Sequence, residues 1–161
     1  MQWSVRAVAW VRSTRSEPLD DGWDLESSSI ELDDAVPDES LSGLEEFSHV
    51  VVVYVFDRAL DAPPAPFSRR PRGNPELPSV GIFAQRAKDR PNRLGVSVCR
   101  LLEVAPRALR VEGLDAIDGT PVVDLKPDVA EFGARGEHRQ PGWMDQLVAG
   151  YFDGHGDRGS R

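Results

Sequence analysis

The 161-residue chain is long enough to bury one hydrophobic core, and its 40% hydrophobic and 29% charged residues are typical of a globular domain. Its single cysteine, Cys99, excludes an intramolecular disulfide and a cysteine-rich zinc site. No apolar run approaches the roughly 18 residues of a membrane-spanning helix, and the first residues lack the apolar stretch of a signal peptide. We therefore predict a soluble, cytoplasmic protein with no membrane partner.

The net charge of −8 is distributed unevenly along the chain. Residues 1–61 carry a net charge of −10, residues 62–110 of +7 and residues 111–161 of −5. The basic central segment predicts a positive surface patch for an anionic partner. Seventeen of the 19 basic residues are arginine, which suits bidentate phosphate contacts. A GC-rich genome explains most of that excess, but it does not explain the clustering.

Four elements are predicted in the first half of the chain. Alternating apolar side chains predict an amphipathic strand from Ser4 to Arg12, and a short second strand follows at 28–32. Residues 37–46 can form one or two helical turns. The strongest signal lies at 49–56, where a run of valines and aromatics is typical of a strand buried on both faces.

Short strands and turns dominate the second half of the chain. A proline-rich irregular loop at 61–78 precedes four further strands, expected at 79–84, 95–104, 108–114 and 121–125. Tight turns at 105–107 and 118–120 join neighbouring strands. A short helix is expected at 141–152, where Trp143, Leu147 and Tyr151 share one face.

These elements predict a mainly β fold, a small antiparallel β-barrel of about seven strands with a short C-terminal helix. Strands and helices do not alternate as they do in a doubly wound parallel sheet. We expect the barrel domain at 1–135, a helical extension at 136–153 and a disordered tail at 154–161. The apolar helix face needs a partner surface, which is either a second copy in a homodimer or the chain's own barrel.

The densest cluster of candidate binding residues lies between two predicted strands, from Arg86 to Ser97. Pro91 fixes the backbone, and Gly95 allows a turn or the close approach of a ligand. Arg86 and Arg90 then project from a pinned loop, which suits a ligand bearing a carboxylate or another anionic group. A solvated, charge-rich turn is the more common outcome for such a composition.

Carboxylates and histidines provide the remaining candidates. Asp115 and Asp118 lie in a turn, where they either cap backbone amides or accept hydrogen bonds from ribose hydroxyls or an amine. His49 heads the valine-rich strand as a base or, more commonly, as a hydrogen-bonded core histidine. The three histidines are far apart in sequence and show no metal-binding spacing, so we predict no metal site.

Taken in order, five segments of the chain resemble the motifs of a known family. They are Leu44–Phe56, Arg70–Pro75, Val80–Arg86, Arg90–Ser97 and Leu114–Pro127. The chain is similar in these segments to the TsaA-like (TrmO) family of S-adenosylmethionine-dependent tRNA methyltransferases, over about residues 5–132.

The resemblance implies a β-barrel methyltransferase, usually a homodimer, that binds S-adenosyl-L-methionine close to the subunit interface. The implied reaction transfers a methyl group to N6 of threonylcarbamoyladenosine, beside the anticodon of certain tRNAs. Carried onto this sequence, the cofactor-binding positions are Pro18, Leu19, Asp20, Asp57, Arg58, Arg86, Val96, Leu114, Asp115, Ala116, Ile117 and Asp118.

We expect substrate contacts from motif residues in or beside the basic segment, namely Arg90, Asn92 and Lys126. The sequence does not assign a general base, and its candidates are His49, Asp118 and Asp124.

The chain departs from the family pattern at several motif positions. Asp57 and Arg58 replace the usual His-Gln pair, Gln85 replaces a threonine, and Asp128 replaces an aromatic residue that could stack on a base. Two alternatives therefore remain: a methyltransferase of the same fold that acts on a small molecule, and a non-catalytic S-adenosylmethionine-binding module.

Overall fold

A computed structural model describes residues 3–17, 22–23, 26–60, 66–149 and 151. Its strands and its one α-helix within those ranges are β1 (Ala9–Arg12), β2 (Ser27–Leu32), β3 (His49–Val55), β4 (Ser68–Arg69), β5 (Val80–Gly81), β6 (Leu94–Ala105), β7 (Ala108–Glu112), β8 (Pro121–Pro127) and α1 (Gly142–Leu147). Six strands close into an antiparallel barrel in the order β1-β2-β7-β6-β3-β8. The predicted fold class is confirmed. Across the described ranges, no helix is long and apolar enough to cross a membrane.

Strand alternation fills the barrel interior. On β3, Val50, Val52 and Tyr54 point inward and are at most 1% exposed, whereas the alternate residues of the strand are half-buried. The expectation of a strand buried on both faces is therefore wrong for β3. In a closed barrel only one face of each strand meets the core. The valines on the other face of β3 therefore lie on the outer surface of the barrel.

The barrel has six strands because one predicted strand lies outside it. Residues 79–84 divide into β5, which pairs with β4, and a 3₁₀ turn at Ile82–Ala84. β4 arises within the segment predicted to be an irregular loop. Together β4 and β5 form a separate two-stranded ribbon, which lies in the basic central segment of the sequence.

Gly95 provides space rather than a turn. It pairs with Tyr54 across β3 and β6, and a Cβ atom at position 95 would lie 2.3 Å from Cε2 of the Tyr54 ring. Only a glycine lets the ring lie directly across β6. This contact fixes Tyr54 at the end of the barrel where β6 begins.

The C-terminal helix packs on its own chain. α1 is shorter than the predicted 141–152 segment, and its half-buried face carries Trp143 and Leu147. Leu147 and Leu77 line one small pocket between the helix and the loop after β4. A second copy as the partner of this face remains a prediction. The predicted tail at 154–161 lies outside the described residues, and the domain limits remain a prediction.

Candidate functional site

Asp115 lies at the centre of a polar cluster at one end of the barrel. It is half-buried in the loop that follows β7. Tyr151 Oη donates a hydrogen bond to Asp115 Oδ2, and the Asp115 amide donates to Ser97 Oγ at 3.4 Å. Ser97 Oγ also contacts Tyr54 Oη at 3.2 Å. Residues from β3, β6 and the C-terminal segment are therefore linked to Asp115, Tyr151 through its carboxylate and Ser97 through its amide, with Tyr54 joined through Ser97.

Both phenols of this cluster are protonated at neutral pH. Burial, reinforced by the negative charge of Asp115, raises the pKa of Tyr54 and of Tyr151 above the usual range. The positive charge of Arg86 opposes this rise in the pKa of each phenol without reversing it. The two hydroxyls act as hydrogen-bond donors rather than as bases.

Arg86 brings a cation to the same end of the barrel. It follows the 3₁₀ turn at 82–84, and its Nη2 donates to the carbonyl oxygen of Val96 at 2.8 Å. The adjacent Gln85 is 6% exposed and donates to two backbone carbonyls of the β4–β5 ribbon. The segment before Arg86 is thus anchored, and Arg86 and the Asp115 loop contact adjacent residues of β6, Val96 and Ser97.

Arg58 joins two loops at this end of the barrel. Its guanidinium donates to the carbonyl oxygen of Ser16 at 2.6 Å and to that of Asp118 at 3.5 Å. Asp57, in the same 3₁₀ turn, is half-buried. The Arg58 contacts give a physical role to one of the residues that depart from the family pattern, because they hold the loops after β1 and β7 together.

Asp118 caps the backbone. Its Oδ1 accepts a hydrogen bond from the Ser13 amide at 3.1 Å, and its own amide donates to the Arg15 carbonyl at 2.7 Å. These contacts match the capping alternative considered for this turn. They fix the loop that carries Asp115 and occupy the carboxylate that was a candidate general base.

Three neighbouring positions contribute to the core through their side chains. Leu114, Ala116 and Ile117 are 0%, 4% and 8% exposed, so only their backbone groups can reach a ligand. Three further predicted cofactor positions, Pro18, Leu19 and Asp20, lie outside the described residues.

Several predicted residues lie away from Asp115. His49 begins β3, about 16 Å from Tyr54 at the usual strand rise, and its Nδ1 contacts Ser48 Oγ at 2.8 Å. Asp124 and Lys126 form an exposed ion pair on β8. No described contact joins His49 or Asp124 to the Asp115 cluster.

The remaining substrate-contact candidates lie in the turn that leads into β6. Arg90 donates from Nη1 to the Gln85 carbonyl at 3.2 Å, and Asn92 is exposed. The Arg90 contact links this turn to the residue before Arg86.

Sequence reasoning did not select Tyr54, Ser97 or Tyr151 as site residues. A glycine opposite an aromatic residue on a paired strand is the signal that could have found Tyr54. Ser97 belonged to a recognised motif without an assigned role. Tyr151 lies 36 residues from Asp115 and gave no local signal.

The arrangement suits a zwitterionic ligand. A carboxylate binds an amine or hydroxyl groups, and an arginine binds a carboxylate. Cys99 is buried, and burial together with Asp115 raises the pKa of its thiol to about 12, so it is not a nucleophile at neutral pH. Among the residues that the structure describes, no group of three or more His, Cys, Asp or Glu side chains could hold a metal ion.

These features define a small antiparallel β-barrel with a ligand site of both charges at one end. The family model of the tRNA-methyltransferase O N-terminal domain matches residues 13–134. The chain belongs to this family, and the resemblance inferred from its motifs is confirmed.

Curated relatives and solved structures agree with this assignment. The chain is 39% identical to the "Probable S-adenosyl-L-methionine-binding protein" of Pyrococcus abyssi, covering 68% of this chain and 56% of the relative. It is 40% identical to the tRNA (adenine(37)-N6)-methyltransferase of Escherichia coli, covering 55% of this chain and 39% of that one. The crystal structure of TrmO from Pseudomonas aeruginosa superposes with a TM-score of 0.71 at 32% identity, covering 89% of this chain and 62% of that chain. The chain thus spans about two fifths to three fifths of the length of these relatives.

Proposed function

We propose that this protein is an S-adenosylmethionine-dependent methyltransferase that methylates N6 of threonylcarbamoyladenosine in tRNA. The observation that carries the proposal is that Arg86 and Asp115 contact adjacent residues of β6, Val96 and Ser97, in a barrel of the tRNA-methyltransferase O family. The archaeal relative, named as binding S-adenosyl-L-methionine, supports the cofactor, and the bacterial relative, named as a tRNA methyltransferase, supports the kind of acceptor. A tRNA acceptor also implies a cytoplasmic enzyme.

The residues present fit S-adenosylmethionine. This cofactor carries an amino group and ribose hydroxyls, which suit the Asp115 carboxylate, and a carboxylate, which suits Arg86. The Trp23 indole nitrogen is buried and has no hydrogen-bond partner within the described residues, so this end of the barrel holds an unsatisfied donor. A hydrogen-bond acceptor of the ligand that reached Trp23 would remove the free-energy cost of leaving this buried donor unpaired.

When bound, the cofactor supplies an activated methyl group on a sulfonium. The protein's part is then alignment, because the carbamoyl-linked nitrogen of the acceptor is weakly nucleophilic. Tyr151 and Ser97 hold the Asp115 loop, and Arg58 ties that loop to the one after β1. With both phenols protonated, Tyr54 and Tyr151 supply hydrogen-bond donors instead of a general base.

A tRNA acceptor is favoured by the basic central segment. Residues 62–110 carry a net charge of +7 in a chain whose total charge is −8, and Arg86 belongs to this segment. A small-molecule acceptor is the second candidate, because Asp128 stands where the family has a base-stacking aromatic residue. The two candidate acceptors are distinguished by whether the transferred methyl group is found on a tRNA nucleoside or on a small molecule.

We also propose a homodimer that forms through the outer face of β3 and β6. Leu94, Val96 and Val98 alternate along β6 and are 37%, 43% and 55% exposed. Their β3 partners Val55, Val53 and Val51 extend the same apolar surface. A second copy would bury this patch beside Val96, whose carbonyl accepts from Arg86. Light scattering should give twice the 17.8 kDa chain mass for the wild type. Val98→Asp should reduce it to the chain mass, and a monomeric wild type would contradict the dimer.

Calorimetry with S-adenosylmethionine tests the cofactor site. Arg86→Ala should lose about 1.5–3 kcal/mol of binding free energy, the value of a hydrogen bond to a charged group. Arg100→Ala is the matched control, because Arg100 lies on β6 but points to solvent and pairs with Glu112 at 3.6 Å. Equal affinities for the two variants would remove Arg86 from the site.

A further inference from the structure

Two phenylalanine side chains beside the β4–β5 ribbon are exposed to solvent. Phe67 immediately precedes β4 and is 75% exposed, and Phe83 follows β5 within the 3₁₀ turn and is 78% exposed. The Phe67 carbonyl accepts from the Ile82 amide at 2.9 Å, so the two rings arise one residue apart at the same end of the ribbon. Ile82, which pairs with Phe67 and precedes Phe83, is only 3% exposed. The fold thus buries the aliphatic residue and leaves both aromatic rings outside.

The ribbon that carries these rings is firmly held. Gln85 Nε2 donates to the Arg69 carbonyl at 3.1 Å and to the Val80 carbonyl at 3.0 Å, which ties both of its strands to one buried amide. Asp89 accepts from Arg69 at 3.0 Å and from Arg93 at 3.3 Å, which joins the ribbon to the turn before β6. The two rings are therefore presented on a fixed support and need little ordering when a partner binds.

The segment that carries the rings is basic. Residues 66–93 contain seven arginines and lysines against two acidic residues. The guanidinium groups of Arg70 and Arg86 donate to backbone carbonyl oxygens, contacts that fix these groups without cancelling their charge. Exposed aromatic rings interleaved with cations are the combination that binds single-stranded nucleic acid, because bases stack on the rings while phosphates pair with the cations.

We propose that Phe67 and Phe83 form a stacking platform for unpaired bases of an RNA loop. The inference rests on the proposed tRNA acceptor and names the surface that receives it. Phe83 lies three residues before Arg86, so a loop base stacked on the platform would be held next to the candidate cofactor site. The platform supplies, from another part of the chain, the aromatic contact that Asp128 does not provide at the family's usual position.

The test measures binding of a synthetic RNA hairpin with an unpaired loop by the full-length protein and its variants. Phe67→Ala and Phe83→Ala should each weaken binding about tenfold, the loss expected for one stacked base. Phe132→Ala is the matched control, because Phe132 is 87% exposed but lies beyond β8 and outside the ribbon. The salt dependence of the remaining binding should stay at the wild-type slope, since no phosphate contact is removed.

The outcomes separate the platform from the proposed function. Hairpin binding that equals the wild type in both ribbon variants, with methyl transfer to tRNA intact in the wild type, would overturn the platform alone. A wild type that neither binds the hairpin nor methylates tRNA would overturn the platform together with the tRNA acceptor. Loss of the dimer in Phe67→Ala or Phe83→Ala would assign the rings to contact with a second copy and would also overturn the platform. Unchanged affinity for S-adenosylmethionine in both variants is expected and shows that the cofactor site is intact.

Discussion

Gly95→Ala should destabilise the barrel through the ring of Tyr54. The new Cβ would lie 2.3 and 2.4 Å from Cε2 and Cζ of that ring, where ordinary contact begins at 3.4 Å, so the ring must move by about 1 Å. Tyr54 is 1% exposed, so its ring can move only by displacing the side chains packed around it. Overpacking of this kind costs about 1–3 kcal/mol, and loss of the Ser97 contact adds about 1 kcal/mol. Alanine offsets up to about 1 kcal/mol by restricting the unfolded chain, which leaves a net loss of about 1–4 kcal/mol.

Urea denaturation measures this loss of free energy of unfolding. The same substitution made in a Tyr54→Leu variant shows whether the Tyr54 ring causes it. In Tyr54→Leu, which lacks the ring atoms that the new Cβ would meet, Gly95→Ala should no longer destabilise the protein and should raise the free energy of unfolding by up to about 1 kcal/mol. The reasoning fails if Gly95→Ala leaves the wild-type stability unchanged, or if it costs the same in both backgrounds.

Three further predictions follow from the site. Tyr151→Phe should weaken S-adenosylmethionine binding about tenfold, because Asp115 loses a hydrogen bond that orients its carboxylate; unchanged affinity would contradict this role. The Cys99 thiol, buried and with its pKa raised to about 12, should react with a disulfide reagent only as the protein unfolds, and prompt reaction of the native protein would refute its burial. Burial raises the pKa of Glu26, but hydrogen bonds from Thr14 and Ser13 outweigh it and lower the value overall. The stability that Glu26 adds over Glu26→Gln is therefore present above its unfolded pKa and should be lost as pH falls through the carboxyl range, whereas a pH-independent difference would contradict it.

Strand periodicity predicted the barrel well where side chains alternate between core and solvent. The alternation within β1, which is shorter than the predicted 4–12, and the tight turn between β6 and β7 follow from local sequence, and the structure contains them. The valine run of β3 was expected to be buried on both faces and instead alternates. The segment at 79–84 failed because its apolar residues resemble a strand, while the chain there forms only two paired residues and a 3₁₀ turn. The apolar character of a short segment does not predict which sheet that segment joins.

The site was predictable in part. The family motifs led to Arg86 and Asp115, which the structure brings to one end of the barrel. Gly95 was expected to permit a turn or a ligand's approach, whereas its neighbour is the Tyr54 ring, a contact set by strand register. The contact of Tyr151 with Asp115 depends on how the C-terminal segment returns to the barrel, which no pattern around either residue encodes.

Methyl transfer to tRNA tests the central claim most directly. Purified protein is incubated with methyl-labelled S-adenosylmethionine and total tRNA from a strain that lacks the enzyme, and the digested nucleosides are then identified. The wild type should place label on threonylcarbamoyladenosine, and Asp115→Ala should place little or none there, because it removes the carboxylate around which the site is built. Absence of label from every nucleoside, with label entering a small-molecule extract instead, would contradict the tRNA acceptor. Full transfer by Asp115→Ala would contradict the site.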